Sequence, residues 1–485
     1  MRKLLLFLIF LPQALWSQDC SCTDQLNWLI KTFEENDAGF QLAIDQKGRE
    51  AYEAHNAAFR ERVKPIEKLP DCSVTLYQWT QFFRTGHVGI QLLEQPQVQA
   101  PAPAEIIEKY KNEPRVDIRE EEFRRRMSQL SSSPGFEGVW QNGNYTIGVL
   151  KDALNPDRSY VGFILEADGV YWQKNQIKLE IFPGEKKGRF DARFYMRDHS
   201  ERQFSNIQLL GNNYLQTGFV TWKRVTPELK GDPDVETYLE IIDAQGPLIR
   251  KISENTILLR VPSFDPGFRK EIDSLMAAHH ALITSTPNLV IDLRNNGGGS
   301  DESFGSIIPY LYTNPIRVIG LEFLSTPFNN ARMEGFIQEP DWSEEDKEWA
   351  RVSLKKLNEN LGKFVNLDTT DVSVEKLDTI YPYPKNVAVL INGGCGSTTE
   401  QFLLAAKQSK KVKLFGTTTF GSLDISNQNY VPFPCGKMNL VYSLSRSKRI
   451  PDFAIDERGI QPDFFLDDQI PDYKWIDYAV EILNR

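Results

Sequence analysis

Two apolar runs constrain this chain more than any other feature, because each breaks into a glycine-rich turn and then into a helix-like stretch. The first runs Leu289-Val290-Ile291-Asp292-Leu293 and passes through Arg294, Asn295 and Asn296 into Gly297, Gly298 and Gly299. Phe304, Ile307 and Ile308 then predict a helix. The second runs Val387 to Ile391 and turns through Asn392-Gly393-Gly394-Cys395-Gly396-Ser397. Phe402, Leu403 and Ala406 follow at helical spacing. Short continuous apolar runs bounded by turn residues read as buried strands. Ile257 to Val261 and Val412 to Phe415 are two more. Strands alternating with helices predict an α/β domain over residues 227–485. Within it Ser343, with Asp346 three residues on, predicts an acidic helix carried by Ala350, Leu354, Leu357 and Leu361.

The rest of the chain divides by pattern. Arg2 and Lys3, the apolar run Leu4 to Leu11 and the approach to Ser17 predict an export signal over 1–17. That run is too short to span a bilayer, and no later stretch approaches about 18 uninterrupted apolar residues. The expectation is a chain exported to the periplasm or the exterior, with no stable membrane anchor. Residues 18–95 predict a helical domain, from Leu26, Leu29, Ile30 and Phe33 and from Ala51, Ala54, Ala58 and Phe59. A further helix is predicted from Ser73 to Phe83. Pro96, Pro101 and Pro103, with Ser131 to Gly135, mark 96–135 as a linker around a charged helix, Glu120 to Arg126. Alternation at Tyr145, Ile147 and Val149 and at Ile177, Leu179 and Ile181 predicts a small β barrel or sandwich over 136–226.

Charge and cysteines narrow the chemistry. There are 56 Lys and Arg against 66 Asp and Glu, a net charge of −10, so no general attraction to nucleic acid phosphates is expected. Five cysteines leave one unpaired at least; a bridge from Cys20 or Cys22 to Cys72 suits an exported chain, and the sequence leaves the choice open. Cys20-x-Cys22 has no matching pair and no nearby histidine, and the adjacent His279 and His280 fall on different helix faces. Neither makes a zinc site, so no metal and no cofactor are expected.

Four segments could carry reactivity. Ser397 opens a helix after a tight turn, where its hydroxyl is exposed and the helix dipole favours developing negative charge. An ordinary helix-capping serine has the same local sequence. The Gly297–Gly299 turn offers backbone N–H groups to an anion, although it lacks the spacing of a nucleotide-binding loop. His87 stands between Gly86 and Gly89 ahead of a strand-like run. Asp456 and Glu457 precede the turn Gly459-Ile460-Gln461-Pro462-Asp463 and could orient a histidine.

Taken in order, these segments resemble the tail-specific (carboxyl-terminal processing) and tricorn-core serine peptidases. Leu289 to Gly299 resembles that family's Asp-Leu-Arg-x-Asn-x-Gly-Gly strand and loop, and Ser397-Thr398-Thr399-Glu400 its Ser-x-x-Glu turn. Phe415-Gly416 through Thr419-Phe420-Gly421 resembles its Val-Gly…Thr-x-Gly strand and loop, and Gly459 to Asp463 its closing Gly-Val-x-Pro-Asp. Arg84 to Ile90 is similar to its histidine-bearing stretch. The resemblance spans about 245–485 well and 20–95 loosely, and does not reach the β module.

The resemblance implies a ClpP/crotonase-like α/β spiral with an N-terminal helical domain, here with a small all-β module inserted. It implies a secreted serine endopeptidase acting on peptides or unfolded protein segments. The lysine that tail-specific members carry 25 residues beyond the serine is Ser422 here, so the tricorn-like branch fits better. That branch implies Ser397 as nucleophile, His87 as base, and Asp456 ahead of Glu457 as the orienting acid. Gly298 and Thr398 would supply the oxyanion hole, and Ser422 would hydrogen-bond within the site. Two other readings stay open: a catalytically inactive peptide-binding protein, and a non-peptidase serine hydrolase. A homo-oligomer is also left open.

Overall fold

A computed structural model describes residues 20–93, 101–130, 134–153, 155, 157–185, 188–218, 220–340 and 342–485. The export signal read over 1–17 lies outside the described residues, as does Pro96. The chain forms two compact units. One gathers the described part of Met1–Gln95 with Ala244–Ile470 and Trp475–Arg485; the other holds Pro96–Asp243 and Pro471–Lys474. Among the described residues no helix is long and apolar enough to cross a membrane.

The first unit is built on a six-stranded sheet. Its order is Leu248–Ser253, Thr256–Arg260, Asn288–Asp292, Asn386–Ile391, Val412–Gly416 and Phe464–Phe465. The first two strands pair antiparallel and the rest parallel. All five residues of Asn288–Asp292 are buried, as a strand covered on both faces requires. Ile257, Ile291, Val389 and Leu414 form its core with Phe402 and Leu403 of the helix Thr398–Ala406. The four strands read from the sequence therefore lie side by side, each within one residue of its predicted bounds.

Within the same unit a second sheet packs against the N-terminal helices. The long strand Met438–Ser447 pairs with Ile425–Pro432, Leu321–Leu324 and Gly89–Leu92. Gly89 stands opposite Val441 and Ile90 opposite Leu440, so the residues just before Gly89 are drawn to this sheet. The helices Cys22–Asn36, Phe40–Lys47, Arg49–Val63 and Leu69–Thr80 pack Leu29, Phe33, Leu76 and Trp79 against Leu440, Tyr442 and Leu444. Cys22 and Cys72 are joined by a disulfide, with Cα atoms 5.6 Å apart, which resolves the pairing left open by the sequence.

The second unit contains a closed barrel of eight strands from Gly138–Asn142 to Val220–Thr226, each antiparallel to the next in chain order. Trp140, Trp172, Leu179, Leu215 and Trp222 fill it.

Three local expectations differ from the structure. The last of the four N-terminal helices begins at Leu69 rather than Ser73, because Pro70 suits a first helical turn, whose N–H groups have no partner anyway. The stretch read as a linker carries two helices, Pro103–Tyr110 and Glu120–Ser128. Each buries an i, i+4 pair, Ile106 with Tyr110 and Phe123 with Met127. Beyond the three glycines there is no single helix but a 3₁₀ turn, Asp301–Phe304, and a separate short helix, Ile308–Leu311. Pro309, which has no N–H, falls in the first turn of the second piece.

Candidate active site

Ser397 stands where the strand Asn386–Ile391 has turned through Asn392–Gly396 into the helix Thr398–Ala406. Its φ of 56° and ψ of −124° lie outside the regions a serine ordinarily adopts, so the surroundings must hold it there. They do so through the backbone. The Ser397 N–H donates to the Ser422 carbonyl at 3.0 Å and to Glu400 Oε2 at 3.2 Å. Gly396 N–H donates to the Asn296 carbonyl, and Phe420 N–H to the Cys395 carbonyl. The two glycine turns are tied together by Asn392 Oδ1, which accepts from the Asn295 and Gly394 amides.

Burial pushes the Cys395 thiol up to about 12 and keeps it un-ionised, so this cysteine beside Ser397 is no nucleophile. Glu400 is fully buried, and accepts from Thr419 Oγ1, the Gly421 and Ser422 amides and the Ser397 amide. Burial raises its pKa against the pull of those bonds. It fastens the serine turn to the loop 419–422.

His87 arrives from the other end of the chain, in the loop between the helix Leu69–Thr80 and the strand Gly89–Leu92. Its φ is 54°, and its carbonyl accepts from Ser443 Oγ at 3.0 Å and Arg84 Nη2 at 3.3 Å. Arg84 and Asp37 form a buried two-pronged ion pair at 2.8 and 2.5 Å. Asp37 also takes the Ser443 amide. The ring meets two partners, with Nδ1 2.7 Å from the Ile425 carbonyl and Nε2 3.0 Å from Ser397 Oγ. A carbonyl only accepts, so Nδ1 carries the proton and the Nε2 lone pair faces the serine hydroxyl. Burial lowers the pKa of the ring below its ordinary 6.5, the opposing pull of the Ile425 carbonyl being smaller. The imidazole is therefore neutral near pH 7.

The remaining site residues named from the sequence fall as follows. Asp456 does not touch the ring. Its carboxylate accepts from the amides of Leu423 at 2.5 Å, Asp424 at 2.7 Å and Ile425 at 3.1 Å. It thus holds the segment whose last carbonyl holds His87. Burial raises the Asp456 pKa, opposed by those amide bonds. Glu457 is exposed and gives its backbone N–H to the Gly421 carbonyl. Ser422 contributes backbone groups to Glu400 and Ser397, while its hydroxyl stands against Gly86.

Gly298 gives its N–H to Asn296 Oδ1 at 3.0 Å, so this amide is already engaged. A side chain there would meet the Gly396 carbonyl and Ser397 Cβ at 2.8 Å, and φ is +106°; the glycine is required by the close approach of the two turns. The N–H groups of Thr398 and Gly299 have no acceptor among the described residues, and Thr398 Oγ1 donates to the Gly299 carbonyl at 3.0 Å.

Sequence reading missed Ile425, Arg84, Asp37 and Ser443. Three of them act through backbone atoms or through a buried ion pair, which no motif spells out. Arg84, three residues before His87, carries the one signal available, a charge beside an apolar helix end.

Ser397, His87, Thr398 and Gly299 open onto a cavity of about 790 Å³. Its other walls come from Val318 to Leu321, from Ser426 to Gln428 and from Arg332.

Residues 255–465 match the sequence model of peptidase family S41. That span contains both glycine turns, Ser397 and Asp456, and leaves His87 outside it. No curated protein sequence matches. Among solved structures, mature CPAF complexed with lactacystin is similar at 14% identity and a TM-score of 0.49, covering 96% of this chain and 98% of its own. The photosystem II D1 C-terminal processing protease is similar at 11% identity and a TM-score of 0.39, covering 96% and 98%. The tricorn protease is similar at 12% and 0.41, with 96% of this chain matched to 37% of that one. The match over residues 255–465 supports kinship of that part of the chain with peptidase family S41, the tail-specific and tricorn-like serine peptidases.

Proposed function

We propose that this protein is an exported serine endopeptidase that hydrolyses peptides or unfolded protein segments, with Ser397 as nucleophile and His87 as base. The observation that carries the reading is the 3.0 Å approach of His87 Nε2 to Ser397 Oγ, made by residues 310 positions apart. Ser397 Oγ attacks the peptide carbonyl as its proton passes to His87 Nε2. The imidazolium formed keeps Nδ1–H on the Ile425 carbonyl, then returns the Nε2 proton to the leaving amine. Water, activated by the same ring, clears the acyl group from Ser397.

The acid acts at one remove. Asp456 is a positioning residue, since it clamps the 423–425 amides and so fixes the carbonyl that selects the tautomer of His87. For the oxyanion, the free amides of Thr398 and Gly299 suit the task; Gly298, whose N–H is taken by Asn296, does not. Losing one such donor typically costs about 3 kcal/mol of transition-state stabilisation.

The test is hydrolysis of an unfolded protein, such as a reduced and alkylated casein, by the mature chain and by Ser397→Ala and His87→Ala. Cleavage that survives both substitutions would end the assignment.

A further inference from the structure

The cleft that holds Ser397 and His87 carries a cation with no carboxylate partner among the described residues. Arg332 projects into it from the helix Pro327–Gln338. Arg332 is half-buried, and the fully buried arginines of this unit are each met by a carboxylate: Arg84 by Asp37, Arg260 and Arg294 by Asp292, and Arg449 by Asp424. Arg449 also lines the cleft, but its charge is already spent on Asp424 at 2.9 Å. Arg332 has a single hydrogen-bond partner, the Asn427 carbonyl at 3.2 Å, and its guanidinium lies 5.1 Å from the Phe336 ring centroid. Of five N–H donors, four therefore have no acceptor among the described residues. Burial lowers its pKa, and the nearby groups acting on its charge are the phenols of Tyr430 and Tyr442, not carboxylates.

A half-buried guanidinium with an open fork is a recognition element for planar oxyanions, because it can make two parallel N–H···O bonds to one carboxylate. Its tether places it usefully. Asn427, which takes the one bond, lies two residues beyond Ile425, the residue that holds His87. Asn427 is held at a φ of 58°, so its carbonyl is turned to Arg332 by a fixed backbone bend.

Resting on the peptidase reading above, we infer that Arg332 is a specificity-determining residue that binds a carboxylate on the substrate. The carboxylate has two sources in a peptide, an Asp or Glu side chain near the scissile bond or the free C-terminus.

Paired peptides separate them. One series is amidated at its end and carries Glu or Gln at successive positions around one cleavage site; the other lacks acidic side chains and ends in a free acid or an amide. The acid member of the responsive series should be cleaved with kcat/KM about tenfold above its neutral partner, mainly through KM, as charge-assisted pairing predicts. Arg332→Gln should bring that ratio close to one, and Arg332→Glu should invert it in favour of Lys-bearing peptides. A wild-type ratio near one in both series, or a ratio that persists in Arg332→Gln, overturns the proposal.

Binding of fluorescently labelled acid and amide peptides to Ser397→Ala tests it without catalysis and with Arg332 in place. Preferential binding of the acid that fades with added salt supports Arg332 even if hydrolysis is never seen, whereas equal binding refutes it.

Discussion

The molecule buries carboxylates in two ways, and the contrast separates its scaffold from its reactive centre. Asp292, at the end of a central strand, is fully buried between Arg294 and Arg260, and its pKa is pulled down despite the burial. Glu400 and Asp456 are held instead by amides and a hydroxyl, and their pKa values are pushed up. A guanidinium fixes a carboxylate's charge and anchors a strand. Amides fix a loop's shape around a carboxylate and bring no full positive charge with them. Where a neutral imidazole is to accept a proton, the second arrangement shapes the site without adding a cation to the one already near it, Arg84, whose charge is paired with Asp37.

The comparison can be broken in order of effect. Ser397→Ala and His87→Ala keep the backbone groups that hold these carboxylates, and each should lower kcat by on the order of 10⁴ to 10⁶. Their thermal unfolding should remain close to that of the wild type; a comparable loss of Tm would make the effect structural. Asp292→Asn strands two buried guanidinium groups and should cost about 3–5 kcal/mol of stability, read by urea unfolding. Asp456→Asn should instead fold, and lose about 100-fold in kcat through a misplaced imidazole.

A subtler reading of Asp456→Asn is its pH profile. Because the Asp456 charge raises the pKa of His87, its removal should move the acid limb of kcat/KM to lower pH. In the wild type that limb should already lie below 6.5, since the ring must be neutral to act and burial lowers its pKa. A limb above 6.5 would contradict the placement of His87. Finally, a methyl at Gly86 would stand 2.1 Å from Ser422 Oγ and 2.6 Å from its Cβ. Gly86→Ala should therefore lower activity by displacing His87, and Ser422→Gly in the same chain should restore part of it.

What the sequence made legible follows from burial. The four central strands were readable because parallel strands covered on both faces have nearly unbroken apolar runs. The turns that carry Ser397 and His87 were readable because glycines mark them. The partner of Asp456 was not, because a backbone amide has no letter of its own. Gly298 was named as an anion donor for the same reason: three successive glycines offer three amides, and only the Asn296 side chain decides which is taken. The helices Pro103–Tyr110 and Glu120–Ser128 were hidden by flanking prolines and by charge, since a single i, i+4 apolar pair is a weak periodic signal.

The register that seats the histidine has a temporal consequence. The strand Gly89–Leu92 finds its mate only in Met438–Ser447, a segment synthesised after Ser397 itself. A chain emerging from its amino end thus makes His87 early and Ser397 late, and cannot seat them together until Met438–Ser447 has followed. Any fragment ending before Met438–Ser447 lacks the strand that seats the segment just after His87.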